Sequence, residues 1–310
     1  MAAILVYSAK QDLGIELLSK AKEIAAAKGL EVAAAAFGSM DAGLYAARGA
    51  KVFTAANPEL ASLDASVLAD ALAQIAGKAD AKVILVDSSR RGKELAARLA
   101  QKLDAACITD VNVIDIKDDG LTCARNAFGG ATVAVQSAKT AVQVIAVMPH
   151  SFEAAAAVGS GTTVAVELAL KPGRLKVTEV KDKNQGTVDL EGADVLVCVG
   201  KGLSSQADLK IAEDLAAALG GLVACSKPVA TDQKWMPEDR IIGLSGKKAK
   251  PQIAICLGIS GQVQFTVGIR DAKCIVAVNS DQNAYIFQMA DYGIVGDLHQ
   301  IVPALTAALK

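Results

Sequence analysis

The chain has 310 residues, 52% of them hydrophobic, 21% charged and 4% aromatic, a length beyond the usual single domain and a composition that excludes a disordered chain. Lysine plus arginine number 32 against 33 aspartate plus glutamate, so the formal net charge of −1 gives no basis for electrostatic capture of nucleic acid. The opening "MAAILVYSAK" lacks the basic region and long apolar core of a signal peptide, and no run is long enough to span a bilayer, so the expected location is cytoplasmic with no membrane span.

Residues 4–8 are a short apolar run, and Leu13, Leu17, Leu18, Ala21, Ile24 and Ala25 follow at helical spacing up to Gly29, which predicts a strand and then a helix. The unit recurs as a strand at 31–37, a helix near 66–76 ending at Gly77, a strand at 82–89 and a helix through Glu94, Leu95, Ala97 and Leu99. Such alternation predicts a parallel sheet with right-handed crossovers. From 111 to 148 the runs shorten to VNVIDI, LTCARNAF, ATVAVQ and VQVIAVM, which read as an antiparallel elaboration of that sheet. The charged stretch 171–186, with Pro172 and two glycines, puts a domain boundary near 188, giving an N-terminal α/β domain at 1–188 and a second domain at 189–310.

The second half opens with a strand at 193–200, turns through KGLSS and enters a helix with Leu209, Ala212, Leu215, Ala216 and Leu219 on one face. Ser205 and Asp208 match a capping box, and Gly220 closes the helix. Strand-like runs at 222–225, 252–257 and 274–278 each end in polar or glycine-rich sequence, and such ends line the ligand crevice of open α/β sheets. The six cysteines at 107, 123, 198, 225, 256 and 274 contain no CxxC pair and are expected to be buried, reduced thiols. His150 and His299 are far apart in sequence, so neither a zinc site nor a histidine-based triad is expected.

Several short stretches carry more polar equipment than a connection needs. In VGKGLSS, glycines 200 and 202 let the backbone approach a phosphate at a helix start, although Ser205 occupies the place of a third glycine and a plain turn explains the same residues. In GISGQVQF, Ser260 is positioned to cap a turn whose free amides begin near Gly261, with Gln262 and Gln264 adding donors and acceptors; the alternative is a strand-to-helix turn with solvated glutamines. ACSKPV places Ser226 and Lys227 at a strand end, where a solvated surface lysine is the default reading, with Pro228 expected to stop any helix at once, and GLSG sets Ser245 between small residues in a stretch that a plain turn explains equally well. Asn279 and Asp297 are candidates for a ribose or base edge, with Asx-turn capping as the alternative. Arg90, Arg91 and Lys93 at a helix start oppose the helix dipole, so an acidic group in the protein or on a partner is expected to offset them.

With their spacing, GKGL, ACSKPVATDQKWMP, LGISGQVQF and AVNSDQNAYIFQMADYGIVGDL make residues 189–303 closely resemble the α subunit of electron-transfer flavoproteins, and RRGKELAARLAQKLDAACITDV looks like that family's first domain. The resemblance implies two domains, each a mostly parallel sheet flanked by helices, the C-terminal one a Rossmann-like FAD-binding domain. It implies a heterodimer with a β subunit, contacted by the N-terminal domain. It also implies one FAD that relays electrons between dehydrogenases, such as acyl-CoA dehydrogenases, and an acceptor such as a quinone oxidoreductase. Such a protein is a redox carrier more than a substrate-converting enzyme. By position, the FAD contacts implied are Lys201, Ser226, Lys227, Ile242, Gly243, Leu244, Ser245, Ser260, Gly261, Gln262, Val263, Gln264, Phe265, Asn279, Asp297 and Leu298, with Ser245 near the reactive flavin nitrogen.

Three positions depart from the family pattern: Lys201 and Lys227 stand where arginine is usual, and Phe265 where histidine is usual. An ammonium keeps the charge of a guanidinium and loses its stacking plane, and phenylalanine removes a donor, so a lower one-electron flavin potential is expected. The alternatives are an electron-bifurcating α subunit whose partner holds a second FAD and receives electrons from NADH, and a nucleotide-binding regulatory module that has lost its flavin. A hydrolase acting on an adenine nucleotide through the first domain lacks a nucleophile and base pair.

Overall fold

The computed structural model describes residues 1–61, 64–130, 132–175, 178–179 and 188–309, and the chain forms two units, Met1–Val180 and Lys181–Lys310. Within the stretch read as the linker, residues 176, 177 and 180–186 lie outside the described residues.

In the first unit the elements run β1 (Ala3–Tyr7), α1 (Gln11–Lys28), β2 (Glu31–Ala36), α2 (Ala42–Ala46), β3 (Lys51–Thr54), α3 (Ala65–Ala79), β4 (Ala81–Asp87), α4 (Arg90–Lys102), β5 (Ala106–Lys117), β6 (Gly120–Ala127), β7 (Thr132–Gln136), β8 (Gln143–Val147) and β9 (Thr162–Ala165). The strands form one sheet in the order β7-β6-β5-β8-β4-β1-β2-β3-β9. Helix α1 stops at Gly29, whose φ of 65° supplies the left-handed cap that its sequence position implied. Helix α3 runs through Gly77 instead of stopping there and ends at Asp80 with φ 49°. The cost of one interior glycine, about 1 kcal/mol, is small against the burial of Leu72, Ile75 and Ala76 on the same helix.

The expected antiparallel elaboration is correct for β5–β6 and β6–β7 and wrong for β8, which pairs parallel with both β4 and β5. The reason is burial. Val144 to Val147 are covered on both faces, as in a central parallel strand, whereas β7 exposes alternate valines at the sheet edge. Lys93 Nζ lies 3.0 Å from Asp110 Oδ1, so a carboxylate of the protein itself offsets that cation at the start of α4.

The strand order of this unit turns back between β1 and β4, where a doubly wound sheet would open its ligand crevice. Here the chain fills it. Ser8 Oγ donates to Asp87 Oδ2 at 2.9 Å with both residues buried, and the fully buried Tyr45 sits so close to α1 that a Cβ on Gly14 would lie 2.1 Å from its Oη.

The second unit contains β10 (Val195–Val199), α5 (Leu209–Ala218), β11 (Leu222–Cys225), α6 (Lys227–Thr231), β12 (Ile253–Leu257), α7 (Val263–Thr266), β13 (Cys274–Asn279), β14 (Tyr292–Val295) and α8 (Leu298–Ala308). All five strands are parallel, in the order β11-β10-β12-β13-β14. Leu209, Leu215 and Val302 cover one face from α5 and α8, while Ile242, Ile259, Phe265 and Ile286 cover the other. Asp208 accepts from the Ser205 and Ser204 amides at 2.8 and 2.9 Å, which forms the carboxylate half of the expected cap; these bonds, Ser205 first, hold its carboxyl below the usual range.

Four cysteines are buried as expected, but Cys107 is exposed and Cys274 half-buried, because both stand at the first residues of strands where cover is incomplete. Cys198 and Cys256 face each other in register on β10 and β12, and their mutual hydrogen bond with full burial pushes the Cys198 thiol well above its usual range. Among the described residues no helix is long and apolar enough to cross a membrane, and no group of metal-ligating side chains is assembled.

Candidate functional site

In the second unit the strand order turns back between β10 and β12, and both strands leave the sheet through glycines. The Gly200 amide donates to Leu257 O and the Gly202 amide to Gly258 O, each at 2.9 Å, so the two loops lie backbone against backbone. Gly258 has φ +61°, and a Cβ there would stand 2.6 Å from the Gly202 Cα. Only glycine allows this approach and leaves bare main chain at the crevice floor. One turn further on, Gly261 has φ +87° and a Cβ there would meet the Ile286 amide at 2.1 Å, while that amide donates to Ser260 O at 3.1 Å. The turn after β12 is thus locked onto the turn after β13.

Over these turns lies a cavity of about 880 Å³, within the roughly 300–1,000 Å³ usual for small-molecule sites. Its walls bring together Lys201, Ser226, Lys227, Ile242, Leu244, Ser245, Ser260, Gln262, Gln264, Phe265 and Asn279 from loops widely separated in sequence. Lys201 Nζ is 3.5 Å from Asp232 Oδ2, an exposed pair, and Lys227 has no acidic partner among the described residues. Phe265 is only 7% exposed and forms an apolar wall. Asn279 holds its place by donating to Ile259 O at 2.9 Å and accepting from the Asp281 amide at 3.0 Å. The Leu244 amide donates to Gln264 O at 2.7 Å, tying the 243–245 turn to α7.

The remaining residues expected at the site do not line this cavity with their side chains. Gly243 and Gly261 support the walls through their backbones, and Val263 opens α7 with its side chain exposed. Asp297 caps α8, accepting from the His299 amide at 2.9 Å, and Leu298 is buried in the core beside α5. Two local expectations are overturned. Pro228 does not stop a helix but occupies the second position of α6, where its missing amide costs nothing. Ser260 does not cap α7, whose N-cap is Gln262, and the exposed Ser260 hydroxyl has no protein partner among the described residues.

Sequence reasoning missed Gly258, Asp281, Asn283 and Tyr285 as lining residues. A signal was present for the middle pair. The Asn283 amide donates to Asp281 Oδ1 at 2.9 Å, so the Asn and Asp density after β13 builds consecutive Asx turns along the wall. A hollow of about 980 Å³ also lies in the first unit beside α3 and α4, but its acids are committed: Asp70 pairs with Lys102, and Asp64 accepts from the Ser66 and Arg174 amides, both at 2.8 Å. The cavity of the second unit instead offers two lysines, free hydroxyls, amide side chains and bare backbone. That set suits an anionic, hydrogen-bonding ligand with apolar rings, and it contains no histidine and no paired nucleophile and base.

Comparison with known proteins agrees with this chemistry. A family described as "Electron transfer flavoprotein FAD-binding domain" matches residues 189–270, and one described as "Electron transfer flavoprotein domain" matches residues 11–172. Protein FixB of Shigella dysenteriae serotype 1 (strain Sd197) and Protein FixB of Escherichia coli O157:H7 are each 38% identical over 247 residues, which cover 79% of this chain and 78% of the relative. Protein FixB of Escherichia coli (strain 55989 / EAEC) is 39% identical over the same share.

Proposed function

Because the chain belongs to the electron-transfer flavoprotein family as an α subunit, a FAD-containing electron carrier that pairs with a β subunit, we propose that its FAD is held at the carboxyl edge of β10, β11, β12 and β13. The observation that carries the assignment is the backbone-on-backbone approach of Gly200, Gly202 and Gly258, which a Cβ on any of them would force apart, beneath a cavity whose walls carry Lys201 and Lys227. When bound, FAD supplies one- and two-electron transfer, which no protein side chain in the cavity provides.

The chain's own residues bind, orient and exclude. Backbone at Gly200 to Gly202 and Gly258 to Gly261 would hold the pyrophosphate, and Lys201, now paired with Asp232, would balance its charge. Lys227 and Ser245 would stand by the ring system, and Ser226, Ser260, Gln262 and Gln264 would donate to its oxygen and nitrogen edges. The buried Ile242 and Phe265 would form the apolar wall against which the rings lie, with the exposed Leu244 beside them. Residues 1–188 form the surface for the β subunit and 189–310 the FAD domain. We assign dehydrogenases such as acyl-CoA dehydrogenases as donors, a quinone oxidoreductase as acceptor, and the cytoplasm as location, in keeping with six free cysteines.

The test is the absorbance spectrum and flavin content of the co-expressed heterodimer. About one FAD per α chain is expected, reduced to a small fraction in Gly202→Val. A colourless wild-type heterodimer, or a variant that keeps its flavin, overturns the placement.

A further inference from the structure

The cavity has a second aromatic wall at its far end, Tyr285, in a stretch beyond the matched residues 189–270. Unlike Phe265, this ring is open: Tyr285 is 65% exposed. Its backbone is nevertheless fixed. Tyr285 begins a short 3-10 turn (Tyr285–Gln288) whose next residue, Ile286, is fully buried and hydrogen-bonded to Ser260 O at 3.1 Å, against the side-chain-free Gly261. An aromatic side chain that lines the cavity thus rises from a fixed backbone, and ordering one ring with few rotatable bonds costs little on binding.

The charge around it says which half of the ligand belongs there. Lys201 and Lys227 lie at the ends of β10 and β11, while the lining near Tyr285 is Asn279, Asp281, Asn283 and Ala284, with no cation. Such a wall repels phosphate, and its amide and carboxylate oxygens accept from hydroxyl and amino donors. A purine nucleoside, with ribose hydroxyls, an exocyclic amine and a flat π face, matches it; the phosphates belong toward the lysines. The strand order β11-β10-β12-β13 sets these two ends apart along the sheet edge.

We propose that Tyr285 is the stacking platform for the adenine of the bound dinucleotide, with Asp281 and Asn283 accepting from its ribose or amino group, so that this residue selects FAD over flavins lacking an adenosine. The inference rests on the FAD placement proposed above. Base stacking on an aromatic side chain is sequence- and hydroxyl-independent, so phenylalanine serves as well as tyrosine.

The experiment uses the flavin-depleted heterodimer, with FAD binding followed by flavin fluorescence and ADP as a flavin-free competitor. Tyr285→Ala is expected to raise the FAD Kd at least five-fold and to raise the ADP inhibition constant by a similar factor. Tyr285→Phe is expected to stay within two-fold of wild type in both. A rise for FAD with an unchanged ADP constant, Phe as weak as Ala, or no change in Tyr285→Ala each overturns the assignment. The wild type and Gly202→Val separate the two levels: if Gly202→Val abolishes FAD binding while Tyr285→Ala does nothing, the site stands and the platform falls, whereas FAD retained by Gly202→Val sinks the site itself.

Discussion

At the scale of single residues, the cavity combines invariants of backbone geometry with replaceable side-chain chemistry. Gly258 and Gly261 are fixed by left-handed φ and by contacts under 3 Å to a hypothetical Cβ. Lys227 and Phe265 contribute side-chain chemistry to the cavity instead, and in the proposed site that chemistry sets the surroundings of the flavin. A guanidinium in place of the Lys227 ammonium adds a stacking plane, and an imidazole in place of Phe265 adds a donor, each worth on the order of 1 kcal/mol in a shielded site. Lys227→Arg and Phe265→His are therefore expected to raise the one-electron flavin potential, by on the order of 40 mV each. Redox titration of each heterodimer checks this, and unchanged or lowered potentials refute it. Because Phe265 is largely buried, the histidine variant also calls for a thermal melt to show that the wall is intact.

At the scale of elements, one carboxylate joins a helix start to a distant segment. Asp64 caps α3 and also accepts from the Arg174 amide, and hydrogen bonds from Ser66, hydroxyl then amide, lead the causes that bring its carboxyl down to about 2. A folded-state value below the unfolded one means that the ionised form is favoured by folding. The contribution is full above about pH 4 and is lost as the pH falls toward 2. Asp64→Ala is expected to destabilise the first unit by about 1 kcal/mol or more at pH 7. In acid titrations followed by circular dichroism, the gap between variant and wild type should close below pH 3; a gap constant across that range would refute the linkage. A second element-scale prediction concerns α5. Leu215 is fully buried between this helix and the sheet, so Leu215→Ala is expected to cost about 2–5 kcal/mol, read as a lowered denaturation midpoint of the second unit.

At the scale of the whole molecule, two doubly wound sheets of one chain have opposite fates at their strand-order reversals. The first is filled by Ser8, Asp87 and Tyr45, and the second opens through glycines into the cavity. A ligand that binds the native state stabilises only the unit that binds it, by about 2.7 kcal/mol at a hundredfold excess over Kd. Calorimetry of the α chain is therefore expected to show FAD shifting one unfolding transition upward while the other stays in place. A shift of both would reveal a second nucleotide site or strong coupling between the units.

The sequence alone determined the fold class and the parallel character of most strands, because burial on both faces leaves continuous apolar runs, and the resemblance of its glycine- and Asx-rich motifs carried the family. It also marked the loops from which the cavity is built. Periodicity did not reveal that β8 enters the sheet centre, since a five-residue apolar run reads alike in either strand direction. It also missed β14, whose YGIV lies exposed at the sheet edge with no burial pattern to detect. Nor did it show that Asp297 caps α8 while Asn279 both braces a turn and lines the cavity. Which polar residue faces a ligand and which serves the backbone depends on where loops from four strands converge, and that convergence exists only once the sheet has formed.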